Sequence, residues 1–263
     1  MANCEKGIKN LLIVGRTVSG KSTLCNVLSN TDNFEESEYT AKKTETFQTE
    51  IFESNETKYC VVEIGLIEKK VLYDKIGDVI YLMPEGISQV LFVVDERFTA
   101  EEIGMLELFE AMFDSGIGEY TTIVRTKFEN FKNEELYEKD REDLCKVSET
   151  FAKICRRIVY VDNPPIKILV NDHEDEETIK INKKRRDLSR NILLKHLEKV
   201  CQEKYYKLKS WDELHSKIAS YIESIESIGS KKNSPLVKEI ERNLELEVPA
   251  LKLIFDTKAD IKS

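Results

Sequence analysis

The chain contains 263 residues, of which 41% are hydrophobic and 34% are charged. This length suits one full α/β domain with a smaller extension, and this composition excludes collagen-like and low-complexity chains. The formal net charge of −9 argues against nucleic-acid binding, because a negatively charged protein surface repels a phosphate backbone.

The sequence also indicates a cytoplasmic protein. Its first residues lack the apolar run of a signal peptide, and no stretch has the length and apolarity of a membrane-spanning helix. The six cysteines are scattered through apolar segments without a C-x-x-C pair. We therefore expect buried, reduced thiols rather than disulfides or a zinc site.

Short apolar runs alternate with amphipathic stretches through the first 205 residues. Six of these runs predict β-strands, at residues 8–14, 47–53, 59–64, 89–94, 120–124 and 158–161. Ser54-Asn55-Glu56 predicts a hairpin turn between the second and third strands, and therefore one antiparallel edge. Helical patterns lie between the other strands, and a further one begins at about Asp187. This order predicts an α/β fold with a mostly parallel sheet and helices on both faces.

Residues 206–263 are predicted to form a helical C-terminal extension to the domain of residues 1–205. Apolar residues recur there in steps of three and four from Trp211 to Ile228. This spacing is typical of a short coiled-coil seam. We expect the seam to pack on the preceding domain or to pair with a second tail.

The strongest functional signal follows the first predicted strand and opens a helix. The segment GRTVSGKST matches the phosphate-binding pattern G-x-x-x-x-G-K-[ST]. Gly20 lets the backbone curl around phosphate oxygens, Lys21 reaches the β- and γ-phosphates, and the Ser22 hydroxyl coordinates Mg²⁺. The candidate nucleotide-binding residues of this loop are Gly15, Thr17, Val18, Ser19, Gly20, Lys21, Ser22 and Thr23.

A second signal follows the fifth predicted strand, where residues 125–129 read RTKFE. GTPases place an [NT]-K-x-D motif at this point, in which the lysine packs on the purine and the acid accepts hydrogen bonds from guanine. Thr126, Lys127 and Glu129 are therefore candidate base-binding residues. Because Glu129 replaces the aspartate, we expect weakened guanine recognition. The alternative is a solvated turn.

These two motifs, together with the segment VVDERFTAEE at residues 93–102, resemble those of the AIG/GIMAP GTPases, a family of septin-like G proteins. The resemblance covers roughly residues 8–205. It implies a P-loop G domain, GTP or GDP with Mg²⁺ as cofactors, and homodimers or oligomers that form through the G domain.

The same resemblance assigns further residues. Thr44 falls at the switch threonine that senses Mg²⁺ and the γ-phosphate, with Thr40 and Thr46 as rivals. Asn163 falls where the family presents a residue to the base, although an asparagine before a proline is otherwise typical of a turn.

The third motif of the family, D-x-x-G, is altered in this chain. Counting back from Gly65, its aspartate position is Val62, and the nearest carboxylate is Glu63. Successive strand residues face opposite sides, so Glu63 replaces the aspartate only if a residue has been deleted before Gly65. With that condition, Ser22, Thr44 and Glu63 are the candidate metal ligands, and Gly65 is a candidate switch residue.

Two functions follow from these motifs. The first is a GTP-binding switch with slow hydrolysis that dimerisation completes, in which Arg97 of a second copy stabilises charge on the transferring phosphoryl group. Arg97 otherwise pairs with Glu96, Glu101 or Glu102. The second function is a degenerate G protein that holds nucleotide as a scaffold without turnover. An ATP-dependent small-molecule kinase is the weakest alternative.

Overall fold

The computed structural model of the protein describes residues 7–16, 18–36, 48–65, 77–95, 102–104, 106, 115–146, 157–201, 203–212 and 215–216. Three candidate site residues, Thr17, Thr44 and Arg97, lie outside these described residues.

Six described strands form one sheet in the order β2-β3-β1-β4-β5-β6. They are β1 (Lys9–Gly15), β2 (Gln48–Ser54), β3 (Thr57–Gly65), β4 (Gln89–Val94), β5 (Thr121–Arg125) and β6 (Ile158–Tyr160). The β2–β3 pair is antiparallel and the other four pairs are parallel. The predicted α/β sheet with one antiparallel edge is therefore confirmed.

The hairpin at that edge turns within two residues. Asn55 and Glu56 have φ angles of 48° and 63°, in the left-handed region. Such turns match the twist of the strands they join, which fixes the register of β2 on β3.

Three longer helices pack on the described sheet: α1 (Lys21–Ser29), α2 (Glu134–Cys145) and α3 (His173–Val200). A 3₁₀ helix spans Ser115–Tyr120, and residues 77–82, 102–104 and 106 are also helical. Helix α3 begins well before the predicted start near Asp187, because the Asp172 side chain caps it by accepting bonds from the amides of Glu174 and Asp175. None of the described helices has the length and apolarity needed to cross a membrane.

The sheet separates two apolar clusters. One contains Ile13 and Val61 together with Leu24 of α1 and Leu197 of α3. The other contains residues of the opposite pleat, among them Val62. Alternate residues of β3 therefore face α1, and this alternation decides which side chains reach the functional edge.

The first residues beyond position 205 pack in the second cluster. Tyr206, Leu208 and Trp211 belong to it, and Trp211 is fully buried. Its indole nitrogen donates to the carbonyl oxygen of Met83 at 3.0 Å. The rest of the predicted seam, to Ile228, lies outside the described residues.

The described cysteines are mostly thiols. Cys25, Cys60 and Cys201 are reduced, as predicted, whereas Cys145 is disulfide-bonded. The prediction was wrong for Cys145 because a sequence shows which cysteines exist but not which ones the fold brings together.

His196 of α3 takes part in a polar chain across the sheet. Its Nε2 lies 2.9 Å from the Thr122 hydroxyl, which also accepts a bond from the Gln89 amide at 2.7 Å. Burial, reinforced by the nearby charges of Lys199 and Arg157, lowers the pKa of His196 to about 4.

We expect the free energy of unfolding to fall as the pH drops from 6.5 towards 4. In this range the unfolded chain protonates His196 while the folded chain does not, so protons favour unfolding. His196→Gln should remove about 2 kcal/mol of the difference between pH 7 and pH 4.5, measured by urea unfolding. The same pH dependence in wild type and His196→Gln would contradict the assignment.

Candidate functional site

The candidate site lies at the edge of the sheet where the parallel strands end. Gly15 of β1 lies beside Gly65 of β3 on one side and Val93 of β4 on the other. Loops that follow parallel strands gather at this edge, which is where open α/β sheets bind their ligands.

The backbone path of the phosphate loop, residues 15–23, requires two glycines. Gly15 has a φ of 153°, and a Cβ added there would lie 2.4 Å from the Val93 carbonyl oxygen. Gly20 has a φ of 89° and caps α1, which begins at Lys21. The loop therefore feeds directly into a helix N-terminus, whose positive end attracts anions.

Inside the loop, one cation is held in place by a hydrogen bond among the described residues and one buried hydroxyl is not. The buried Lys21 donates from Nζ to the carbonyl oxygen of Arg16 at 2.7 Å. Ser19 is fully buried, and its hydroxyl has no hydrogen-bond partner among the described residues. Val18 is half exposed and has a φ of 61°, an unusual angle for a β-branched residue.

Glu63 approaches the candidate metal ligand Ser22. The Ser22 hydroxyl donates to Oε1 of Glu63 at 3.0 Å, and Glu63 is buried. Glu63 pairs in register with Ile13, which faces α1, whereas Val62 faces the opposite cluster. The pleat thus directs Glu63 toward α1, and its longer side chain reaches the hydroxyl.

A hydroxyl and a carboxylate suit Mg²⁺, which prefers oxygen ligands. In the described part of the chain, no group of three or more His, Cys, Asp or Glu side chains could hold a metal ion. Among the described residues, Ser22 and Glu63 are therefore the side chains that would hold Mg²⁺, with phosphate oxygens of a nucleotide and water as further ligands of the kind that this ion takes.

The predicted base motif contacts the phosphate loop directly. The Thr126 hydroxyl donates to the carbonyl oxygen of Ser19 at 2.7 Å. The Lys127 amine donates to the carbonyl oxygen of Val18 at 3.0 Å, and the φ of Lys127 is 56°. The two motifs, more than a hundred residues apart in the chain, therefore form one site.

Two loops flank the expected position of the base. The Phe128 amide donates to the carbonyl oxygen of Val161 at 3.2 Å, which joins the loops that follow β5 and β6. Glu129 is exposed, and its carbonyl oxygen accepts a bond from Arg185 at 2.8 Å. Both polar atoms of the Asn163 side chain are buried and have no hydrogen-bond partner among the described residues. Such an amide suits a polar ligand.

Most predicted site residues that the structure describes meet at this edge. Contacts join the phosphate loop to the base motif and Ser22 to Glu63, while the Thr23 hydroxyl donates to Glu36 at 3.2 Å. The predicted site residues within the described part of the chain are Gly15, Val18, Ser19, Gly20, Lys21, Ser22, Thr23, Glu63, Gly65, Thr126, Lys127, Glu129 and Asn163. The binding, switch and metal roles of these residues remain predictions, as do those of Thr17, Thr44 and Arg97.

The sequence profile of the AIG1 family matches residues 9–224. The chain belongs to the AIG1 family. The match extends past residue 205 and includes Trp211, which packs against the sheet.

Several solved structures are similar to this AIG1-family chain. Toc33 from Arabidopsis thaliana in complex with GDP and Mg²⁺ is 16% identical, with a TM-score of 0.48 over 74% of this chain and 86% of that one. Toc33 in complex with Mg²⁺ and GMPPNP is 16% identical, with a TM-score of 0.49 over 74% and 87%. Bacterial selenocysteine-specific elongation factor EF-Sec is 18% identical, with a TM-score of 0.45 over 73% and 29%. No curated protein sequence matches the chain. The family assignment therefore rests on the sequence profile.

The AIG1-family chain also carries an ion-pair network that sequence reasoning missed. Arg16 of the phosphate loop contacts both carboxylate oxygens of Asp95, at 3.0 and 2.8 Å, and lies 3.1 Å from the buried Glu102. Arg125 donates to the Asp95 carbonyl oxygen and pairs with Asp140 at 2.8 Å. No local pattern signals these partners, because they lie on elements that are far apart in the chain. The network ties Arg16 of the phosphate loop to Asp95 and Glu102.

We expect Gly15→Ala to destabilise the folded protein by about 3 kcal/mol, the cost of forcing a Cβ against a fixed backbone oxygen. Gly7→Ala is the matched control, since Gly7 also has a positive φ but a Cβ there meets nothing within 4 Å. Urea unfolding of both variants measures the difference. Equal losses would contradict the close approach of Gly15 to β4.

Proposed function

We propose that this AIG1-family protein binds GTP and GDP, together with Mg²⁺, at the carboxyl edge of its sheet. The observation that carries the proposal is the contact of Lys127 and Thr126 with the carbonyl oxygens of the phosphate loop. A solvated turn would not require contacts with Val18 and Ser19. A motif that positions a purine beside the phosphates requires contact with the phosphate loop.

In this proposal the phosphate loop binds the β- and γ-phosphates through backbone amides and Lys21. Ser22 and Glu63, with Thr44 as a further ligand, would hold Mg²⁺, which neutralises phosphate charge when bound. The stem of Lys127 packs on the purine, and Glu129 and Asn163 supply the polar contacts to it. The buried, unpartnered amide of Asn163 supports a polar ligand at that position.

We further propose slow GTP hydrolysis that a homodimer assists through the G domain in the cytoplasm. Arg97, provided by the second copy, would stabilise charge on the transferring phosphoryl group. Glu102, one of the acidic residues that would otherwise pair with Arg97 within its own chain, pairs with Arg16.

A nucleotide-holding scaffold is the second candidate, and one observation favours it. Val62, at the aspartate position of the third motif, is fully buried in the apolar cluster opposite α1. Sensing of the γ-phosphate would then depend on Glu63 alone in this stretch. The two candidates share the nucleotide site and differ in turnover.

Lys21→Ala should reduce GTP affinity at least tenfold, because one charged hydrogen bond to phosphate is lost. Isothermal titration calorimetry with GTP and Mg²⁺ measures the change. Lys146→Ala, which removes an exposed cation at the end of α2, should bind as wild type does. An unchanged affinity in Lys21→Ala would refute the phosphate site.

GTP turnover per molecule should rise with protein concentration if Arg97 acts across a dimer. Arg97→Ala should remove the rise, on the order of 10³-fold at saturation, and leave GTP affinity nearly intact. Arg141→Ala, which removes an exposed arginine of α2, is the control. Turnover that does not depend on concentration or on Arg97 would reject this role. The absence of turnover at every concentration would favour the scaffold.

A further inference from the structure

Two consecutive arginines of α3 hold the loop that carries Asn163 from both sides. The Nε of Arg185 donates to the Asp162 carboxylate at 2.7 Å. The Nε of Arg186 donates to the carbonyl oxygen of Pro164, also at 2.7 Å. Asn163 lies between these two contacts in the chain. The loop is therefore fixed immediately before and after the side chain proposed to meet the base.

The guanidinium of Arg186 has a second partner, Glu36. Its Nη1 lies 3.0 Å from Oε1 and its Nη2 lies 2.8 Å from Oε2 of that carboxylate. The side chains of Arg186 and Glu36 are 7% and 16% exposed, so solvent screens the pair weakly. Because its Nε also donates to Pro164, the planar guanidinium of Arg186 joins Pro164 to Glu36. A lysine could not make this set of bonds.

Glu36 is connected in turn to α1. Its carboxylate accepts bonds from the Thr23 hydroxyl at 3.2 Å and from the Asn26 amide at 2.9 Å. Burial alone would raise the pKa of Glu36, but the bonds from Arg186, Asn26 and Thr23 together lower it. One ionised carboxylate thus joins the phosphate side of the site to α3.

We infer that Arg186 is a positioning residue that couples base recognition to the phosphate side of the site through Glu36. The inference rests on the proposed function, because it requires a guanine nucleotide at this edge. Asn163 reads a base only while its loop is fixed relative to the phosphate loop. Arg186 sets that relation, since it joins Pro164 to the carboxylate that also holds Thr23.

The test compares GDP with ADP on the full chain by titration calorimetry. The ratio of the two dissociation constants measures base recognition, because both ligands carry the same phosphates. Arg186→Gln should reduce the preference for GDP about tenfold, the change that corresponds to one lost charged hydrogen bond. Arg186→Lys should reduce it similarly, because a point charge cannot hold both partners.

Arg190→Gln is the matched control. Arg190 lies one turn further along α3 and donates to the Leu28 carbonyl oxygen of α1 at 3.2 Å, a contact that does not involve the base loop. This variant should keep the wild-type preference for GDP. Melting temperatures of all variants separate a general loss of stability, which weakens both nucleotides alike, from a loss of base recognition.

Glu36→Gln gives an independent route if Arg186→Gln does not fold, because it keeps the shape of the side chain and removes its charge. It should also reduce the preference for GDP. A wild-type preference in a folded Arg186 or Glu36 variant would overturn the inference and leave the proposed function standing. A wild-type chain that binds neither nucleotide, or does not prefer GDP, would overturn both.

Discussion

The site depends on how the carbonyl oxygens of the phosphate loop are satisfied. A loop that turns its amides toward an anion must turn its carbonyl oxygens elsewhere, where donors stabilise them. Three side chains supply them: Lys21 to Arg16, Lys127 to Val18 and Thr126 to Ser19. Because Lys127 and Thr126 also belong to the base motif, the contacts that shape the phosphate loop bring the base motif to it.

The pleat of the sheet imposes the second constraint. It directs Glu63 toward α1 and buries Val62 on the other face, so a shift of one residue decides whether a carboxylate reaches Ser22. The aspartate position of the third motif holds Val62, and a glutamate occupies the adjacent position. Because the pleat turns position 63 toward α1, the Glu63 side chain reaches the Ser22 hydroxyl.

Local patterns predicted most of the fold. Apolar runs marked the six strands within two residues, and the Asn55 turn predicted the antiparallel edge. The start of α3 was missed because an acidic run is compatible with a solvated loop as well as with the first turn of a helix. The side-chain hydrogen bonds by which Asp172 caps the helix are visible only in the structure. The phosphate loop was predictable because the spacing of its glycines, lysine and serine is what places the phosphate-binding groups.

The supports of the site could not be predicted. Arg185 and Arg186 lie in a basic run, a pattern that usually marks a solvated surface, yet Arg186 is buried against Glu36, which is 150 residues away in the chain. Arg16 and Asp95 likewise share no local motif, because 79 residues separate them in the chain. Pairing of this kind follows from tertiary structure and leaves no local signature. The sequence therefore predicted groups for ligand contact but not the side chains that hold their loops in place.

The most direct test identifies the nucleotide that the protein retains. The full chain is purified without added nucleotide and denatured, and the released ligand is identified by chromatography. Protein stripped of ligand is then titrated with GDP and with ADP. The account predicts that guanine nucleotide is released, or that the stripped chain binds GDP in preference to ADP. Release of an adenine nucleotide, or no binding of GDP by folded protein, would contradict it.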